Sequence, residues 1–413
     1  MKILFQKIIL FTILITILTV NTTPAMAWSP DEELSASSAI LMDATRGQIL
    51  FEKEADKLLS PSIMCKLMTA FITIDKAQLN SKVTVSKNAA GINGASLNLT
   101  VGNLYTVEDL LYGVMLTSGN DAAIALSEYV GDGDIKKFIG FMNDYSKKLQ
   151  LDNTYFVNPT GLYDERQYTS VRDIAKFIKS AITNPVFNSV FGSRGIAWIN
   201  GKDSSIITNQ NKLFWSYDGV DGGKIGTNPK QGVITVTTAT KNGRRLIAIV
   251  FDKDEESTLS QTKQLFDYGF TNFYNGILVS KDTPVRTINI QNIDVNLISK
   301  IDIFYTYPVG QSYIKDIKFI QNEKLTLPIK IDTIAGVLKY TLEDGTEIDV
   351  DLYSDREITA PEDYKTRLSA TIAENRDLII IVGILVAVEI VLLFYYMIKF
   401  IIKIAKKMGH PTN

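Results

Sequence analysis

The chain begins and ends with long apolar stretches, and apolar and polar positions alternate between them. Near the start, two lysines precede an apolar run from Ile8 to Val20, and the small residues Ala25-Met26-Ala27 follow. A basic beginning, an apolar core and a small-residue cleavage site are typical of a secretory signal peptide. We therefore predict that residues 1–27 are a signal peptide and that the mature chain is exported.

The apolar stretch near the other end, Leu378 to Ile398, contains one charged residue, Glu389. It is long enough for a helix to cross a bilayer core about 30 Å thick. Lysines follow it directly, and basic residues beside a membrane span remain on the cytoplasmic side. We predict a transmembrane helix over 378–398, a cytoplasmic basic tail over 399–413, and a body that lies outside the plasma membrane.

The predicted span contains a pattern that indicates a helix partner. Gly383 and Ala387 form a small-x-x-x-small pair, with which membrane helices approach one another closely. Glu389 is costly inside lipid and indicates a polar partner. We therefore predict that another membrane helix contacts Gly383 and Ala387.

Between the ends, apolar residues recur at the spacing of one helix face from Ile63 to Ile74. Ser60 and Pro61 precede them, and proline is favoured at the first helical position, so we predict a helix over 61–77 with Ser60 as its N-cap. Strands are predicted before and after a helical region, which is typical of an α+β fold. The predicted strands cover 39–43, 47–51, 232–240 and 245–251, and further predicted helices cover 107–116, 120–130, 135–149 and 170–182.

After about residue 278 the pattern changes to short alternating strands separated by turns, one of them predicted over 325–331. Such a pattern is typical of a small all-β module. We predict an α+β domain over 28–274, a β-rich domain over 275–353, and a linker over 354–377.

Charge and composition exclude several kinds of function. The formal net charge is −2, which argues against a nucleic-acid-binding surface. The single cysteine, Cys65, cannot form a disulfide within the chain. The only histidine, His410, lies in the predicted cytoplasmic tail, which excludes histidine-based triads and metal sites from the exported body. We predict no metal, no cofactor and no nucleic-acid partner.

Three short motifs carry the candidate chemistry. They are Pro61 to Lys66 on the predicted helix, Thr117 to Ala123, and Val220 to Thr227 at a predicted strand edge. In this order and with these gaps, the chain resembles the low-molecular-mass penicillin-binding proteins, specifically the D-alanyl-D-alanine carboxypeptidases, with motifs S-x-x-K, S-x-N and K-T-G. The resemblance extends to framework segments, namely Leu67–Ala70, Tyr105–Gly113, Met142-Asn143, Asn158–Leu162 and Gly243–Ile247.

This resemblance implies a penicillin-binding, β-lactamase-like fold and a role in peptidoglycan metabolism. Because a lysine activates the serine nucleophile in that family, it implies Lys66 as general base. It implies Ser118 as proton relay and Asn120 as the amide that orients the substrate. It also implies Lys224-Ile225-Gly226 as the substrate-binding edge, where Lys224 and Gly226 meet the terminal carboxylate of a stem peptide ending in D-alanine.

The chain departs from the family pattern at two hydroxyl positions. Alignment of Lys66 and the residues after it with the family's K-x-M-T-A places Ile63 at the nucleophile position. Ile225 likewise replaces the threonine of K-T-G. Loss of a serine nucleophile typically lowers turnover about a millionfold. We therefore predict impaired carboxypeptidase activity with retained binding of stem peptides.

Ser62 provides an alternative nucleophile, since it lies four residues before Lys66 and shares a helix face with it. Its backbone would lie about 1.5 Å further back and about 100° around the helix from the family's nucleophile. Catalysis tolerates such a displacement poorly. Three hypotheses stay open: a degenerate carboxypeptidase that binds stem peptides, an active serine hydrolase that uses Ser62, and a membrane-anchored cell-wall assembly factor with a vestigial cleft.

Overall fold

A computed structural model describes the chain over five ranges of residues. They are 34–200, 203–228, 232–310, 312–359 and 364–408. The predicted signal peptide, residues 1–27, lies outside the described residues. The described chain divides into two compact units, one with residues up to 283, 299–320 and 337–351, the other with 284–298, 321–336 and the residues from 352 onward.

Helices and strands alternate in blocks along the chain. The helices are α1 (Ser62–Lys76), α2 (Lys87–Ala90), α3 (Val107–Thr117), α4 (Asn120–Val130), α5 (Ile135–Lys148), α6 (Val171–Ala181), α7 (Pro185–Phe191), α8 (Leu213–Ser216), α9 (Glu255–Asn272), α10 (Tyr364–Glu374) and α11 (Arg376–Met408). The strands are β1 (Ser38–Asp43), β2 (Ile49–Lys53), β3 (Lys82–Thr84), β4 (Leu104–Thr106), β5 (Gly195–Asn200), β6 (Asp203–Thr208), β7 (Val220–Asn228), β8 (Gly232–Lys241), β9 (Arg244–Asp252), β10 (Phe273–Val279), β11 (Pro284–Ile290), β12 (Ile293–Ile298), β13 (Ile303–Pro308), β14 (Ile314–Gln321), β15 (Ile334–Leu342) and β16 (Glu347–Ser354).

A five-stranded antiparallel sheet in the order β2-β1-β9-β8-β7 forms the centre of the larger unit. Its strands are buried on both faces because alternate residues pack into two different cores. On β9, Ile247 and Ile249 face the core that contains α1 and α6. Leu246, Ala248 and Val250 face the core that contains α9. A strand covered on both faces reads as a nearly continuous apolar run, as β9 does.

Helix α1 runs through the larger core, and every residue from Ile63 to Ala70 is buried. The sequence-based helix over 61–77 is confirmed at 62–76. The predicted N-cap, Ser60, is wrong by one position. Pro61 occupies the cap with φ −82° and ψ 24° and provides no side-chain hydrogen bond. The helix therefore begins at Ser62, which brings the first motif to its first turn.

The second motif lies at the junction of two helices. Helix α3 begins with a capping box, in which the Thr106 side chain accepts from the backbone of Asp109 and the Asp109 side chain accepts in return. It ends at Ser118, whose φ of 60° places it in the left-handed region. Helix α4 starts two residues later at Asn120. This turn orients Ser118 and Asn120 toward the same side of the unit, where the third motif lies on β7.

Strands dominate the chain after α9. β10 pairs with β13, and a five-stranded sheet has the order β11-β12-β16-β15-β14. The predicted fold class is therefore confirmed: an α+β domain with antiparallel strands is followed by an all-β region. The predicted strand over 325–331 is wrong, since Ile329 makes only an isolated bridge to Ile358. Pro328 within it lacks the N–H that a central strand position requires.

The described chain ends in two consecutive helices. Part of the predicted linker over 354–377 is helical, since α10 lies within it. Helix α11 contains the predicted span and is, within the described ranges, the one helix that is long and apolar enough to cross a membrane. It is a candidate membrane anchor.

Candidate functional site

A cleft of about 440 Å³ lies where the three motifs meet. Most of the predicted site residues line it, and three loops complete it. The lining residues are Ser62, Ile63, Lys66, Gly94, Ala95, Ser118, Asn120, Thr160, Gly161, Leu162, Gln210, Ile225, Gly226 and Thr227. Lys224 is the predicted site residue that does not line the cleft, because it is 2% exposed and lies behind Ser118.

Two glycines allow the walls of the cleft to come close together. Gly161 has a φ of +75°, and a Cβ there would lie 2.4 Å from the backbone oxygen of Ser62. A Cβ on Gly226 would lie 3.1 Å from the Cβ of Ile63. The loop carrying Gly161 and the strand carrying Gly226 therefore both press against the first turn of α1.

Ile63 and Ile225, which the sequence analysis predicts at the two hydroxyl positions of the motifs, both lie in the cleft. Ile63 on α1 is 1% exposed and Ile225 on β7 is 7% exposed. Both line the cleft, so this wall presents branched hydrocarbon. Neither side chain contains an atom that attacks a carbonyl carbon or donates a hydrogen bond.

Lys66 is buried beside Ile63 and donates a hydrogen bond to the backbone oxygen of Thr160. Burial lowers the pKa of Lys66 from 10.5 to about 8, while the neighbouring Cys65 thiol opposes that shift. Among the residues that line the described cleft, none is a carboxylate that pairs with the ammonium group. A lysine with a pKa near neutrality can accept or release a proton at physiological pH.

Lys224 connects the third motif to the second. Its Nζ donates to the backbone oxygens of Val114 and Met115, each at 2.9 Å, and to Ser118 Oγ at 2.7 Å. Both backbone oxygens belong to the last turn of α3, where the carbonyls lack helical partners. Burial lowers the pKa of Lys224 well below 10.5, and the charge of Lys66 lowers it further. All three ammonium protons are thereby committed within the protein.

Asn120 presents an unused acceptor to the cleft. Its Nδ2 donates to the backbone oxygen of Asn93 at 2.7 Å. Its Oδ1 is buried and accepts no hydrogen bond from any described residue. An unsatisfied buried acceptor costs about 1–3 kcal/mol, which a ligand N–H would offset. The site is therefore suited to a ligand that carries an amide.

The sequence analysis did not identify Asp121, whose hydrogen bonds hold one loop of the cleft in place. Asp121 is fully buried and accepts from Ser96 Oγ at 2.6 Å and from the backbone N–H groups of Leu97 and Leu99. These bonds hold the loop that contributes Gly94 and Ala95 to the cleft. An acidic residue within the second motif, directly after Asn120 and in the first turn of a helix, was the available signal.

Ser62 lies in the cleft without the geometry of an activated nucleophile. Its hydroxyl makes no hydrogen bond to any residue that the structure describes, and its side chain is partly buried. Lys66 donates to Thr160 instead. A serine and its base are normally within hydrogen-bonding distance of each other, although free enzymes often hold them more loosely.

Comparison with protein families agrees with the geometry of this cleft. A family model described as D-alanyl-D-alanine carboxypeptidase matches residues 23–255. A second, described as the C-terminal domain of penicillin-binding protein 5, matches residues 273–360. Together the two matches include the cleft and the β-rich region.

Individual proteins show the same likeness. The D-alanyl-D-alanine carboxypeptidase DacC of Escherichia coli is 32% identical over 329 residues, which is 75% of this chain and 80% of that protein. DacF of Bacillus subtilis is 29% identical over 69% of this chain and 77% of that protein. A crystal structure of penicillin-binding protein 5 from Haemophilus influenzae aligns with a TM-score of 0.67 at 27% identity, over 79% of this chain and 98% of that one.

Proposed function

The chain belongs to the D-alanyl-D-alanine carboxypeptidase family, and on that premise we propose that it is a catalytically impaired member that still binds peptidoglycan stem peptides ending in D-alanine. Ile63 is the observation that carries the proposal. Its buried side chain stands in the first turn of α1, three residues before the buried amine of Lys66. Without a hydroxyl there, the acyl-enzyme that this family forms has no oxygen on which to form.

The opposite wall of the cleft supports the binding part of the proposal. Asn120 Oδ1 is an acceptor without a partner among the described residues, and it lines the cleft together with Lys66 and Ser118. A peptide amide satisfies that acceptor. Ile63 and Ile225 offer apolar contact to the methyl group of a D-alanine residue.

We also propose the location and the domain boundaries. Residues 1–27 would be removed on export, the α+β domain would cover 28–274, and the β-rich domain 275–353. Helix α11 would cross the plasma membrane with its C-terminus in the cytoplasm, supported by its apolar length. Gly383 and Ala387 would contact a partner helix there.

A titration with a synthetic stem pentapeptide ending in D-alanyl-D-alanine tests the proposal on the full-length protein in detergent. We expect saturable binding by calorimetry and no release of D-alanine above that of the peptide alone. Asn120→Ala should weaken binding by up to about tenfold, because one hydrogen bond is lost. Asn289→Ala, at an exposed position on β11, is the matched control and should leave the affinity unchanged.

Two other outcomes would replace the proposal. Absence of saturable binding, or binding that Asn120→Ala leaves unchanged, would favour an assembly factor with a vestigial cleft. Release of D-alanine that disappears in Ser62→Ala would favour an active hydrolase. The active-hydrolase alternative is supported by one observation, namely that Ser62 lines the same cleft as Lys66.

A further inference from the structure

A second cleft, of about 510 Å³, lies beside the turn that joins β1 to β2. It shares no lining residue with the first cleft. Arg46 enters it from the turn, and Lys176 and Lys179 enter from the second half of α6. Among the described residues that line it, none is acidic, although acidic residues outnumber basic ones in the whole chain by 45 to 43.

Lys179 lacks a partner within the described structure. No hydrogen bond, ion pair or ring contact is formed by its ammonium group with any described residue. Its Nζ lies over Gly47, where a Cβ would be only 2.9 Å away. Gly47 has a φ of +79°, so the turn favours glycine at this position.

The other two cations are only partly neutralised. Arg46 donates its Nε to the backbone oxygen of Phe304 at 3.1 Å, and its terminal N–H groups bond to no described residue. Lys176 Nζ donates to the backbone oxygen of Gln150 at 3.2 Å. The nearest carboxylate, that of Asp173, is 4.0 Å from Lys176.

One oxygen of that carboxylate, Oδ2, is already occupied, and the other, Oδ1, is the one 4.0 Å from Lys176. Asp173 accepts from the backbone N–H of Asn153 and from the hydroxyl of Thr154, each at 2.8 Å. It is also 1% exposed, so it does not reach into the cleft. Lys176 therefore keeps most of its charge available to a ligand.

Lys179 lies in the last turn of α6, where a cation stabilises the helix C-terminus. This explains the position of Lys179 without any ligand. That explanation does not account for Arg46, which comes from a different element and points its free donors to the same cleft. It also does not account for the absence of acidic residues from the described lining.

Arg46 extends the site toward aromatic rings. It lines a smaller cavity of about 210 Å³ as well, together with Asn275, Phe304 and Tyr305. Asp43 also lines this cavity, but it is 3% exposed and its carboxylate accepts from Thr306 Oγ1 at 2.9 Å. Aromatic faces and amides are suited to sugar or polyol backbones, whereas the three cations are suited to anions. A ligand polymer with anionic groups on a sugar or polyol backbone would contact both cavities, and Arg46 lines each of them.

We propose that this second cleft binds an anionic chain, in which phosphate or carboxylate groups are carried on a polyol or sugar backbone. Arg46 and Lys179 hold the anion, and Phe304 and Tyr305 contact the backbone of the ligand. This site is independent of the first cleft and does not require stem peptides to bind there.

Binding of two probes to the full-length protein in detergent tests this proposal. Poly(glycerol phosphate) represents the phosphate source and alginate represents the carboxylate source. We expect saturable binding of at least one probe, weakened by added salt because the contacts are ionic. The double variant Arg46→Gln with Lys179→Gln should weaken that binding by about tenfold or more, since charged hydrogen bonds are lost.

The matched control removes the same two charges elsewhere, in Arg194→Gln with Lys263→Gln, and should stay within about twofold of the wild type. Ligand should also protect Lys179 of the unmodified protein from acetylation and leave Lys263 reactive, a measurement that does not depend on how the variants fold. The proposal is overturned if neither probe binds, if the control loses as much affinity as the double variant, or if Lys179 is not protected.

Discussion

The two walls of the first cleft differ in chemistry. One wall carries Ile63 and Ile225, whose side chains offer only hydrocarbon. The other carries Ser118 and Asn120, with the buried amine of Lys224 behind them. On the proposed assignment, the proton-transfer and binding groups lie on one side, and the other side has isoleucine in place of the hydroxyls they would serve.

A motif lysine can serve the structure of the protein as well as its chemistry. Lys224 satisfies two backbone oxygens at the end of α3, so its loss would expose buried acceptors even in a protein without catalysis. Ile63 and Ile225 instead pack as apolar residues and leave no polar atom without a partner. Retained lysines therefore do not by themselves imply retained turnover.

The largest expected effect comes from making the apolar wall polar. The double variant Ile63→Ser with Ile225→Thr should gain covalent labelling by a fluorescent penicillin by about a thousandfold or more, because Lys66 and Ser118 are already in place. Labelling is measured after gel electrophoresis. The control Ile249→Ser places a hydroxyl in the core that contains α1 and α6, outside the lining of the cleft, and should gain none. A folded but inert double variant would mean that the two walls have diverged further than their side chains show.

The buried amine of Lys66, one turn along α1 from Ile63, should make stability depend on pH. Because burial lowers the pKa of Lys66 to about 8, the folded protein binds fewer protons than the unfolded chain between that pH and 10.5. Stability should therefore rise with pH over this window, by about 3 kcal/mol from Lys66 alone.

Chemical denaturation of the wild type and of Lys66→Met at pH 7 and pH 10 measures this effect. The wild type should gain more stability than the variant as the pH rises. An equal response of both proteins would show that Lys66 is not held in a lowered-pKa environment.

A smaller effect is expected on stability, where substitution of Lys224 should cost more than substitution of Lys66. Lys224→Met should lower the free energy of unfolding by about 2 kcal/mol at pH 7, because Val114 and Met115 lose their donor. Both substitutions relieve the cost of burying a charge, but Lys66→Met leaves only the oxygen of Thr160 without its donor, so it should cost less. If Lys66→Met proves the more damaging of the two, the structural role assigned to Lys224 is incorrect.

Much of the fold could be predicted from the sequence because its signals are local. The apolar face from Ile63 to Ile74 predicted α1 to within a residue at each end. The N-cap was mispredicted, since the ψ of Pro61 depends on how the preceding chain packs. The strand over 325–331 was mispredicted because apolar alternation outweighed Pro328.

The candidate site was only partly predictable. Motif spacing identified Lys66, Ser118 and Asn120 as residues of one cleft. It did not indicate that the donors of Lys224 are all committed, since Val114 and Met115 are more than a hundred residues away in the chain. The second cleft left no sequence signal either, because Arg46 and Lys179 meet only through the tertiary fold.

The most direct test of the account is covalent labelling of the full-length wild-type protein by fluorescent penicillin, beside Ser62→Ala. With Ile63 at the position of the nucleophile, we expect no labelled band from either protein, even at prolonged incubation. A band from the wild type that disappears in Ser62→Ala would contradict the account and identify Ser62 as a working nucleophile.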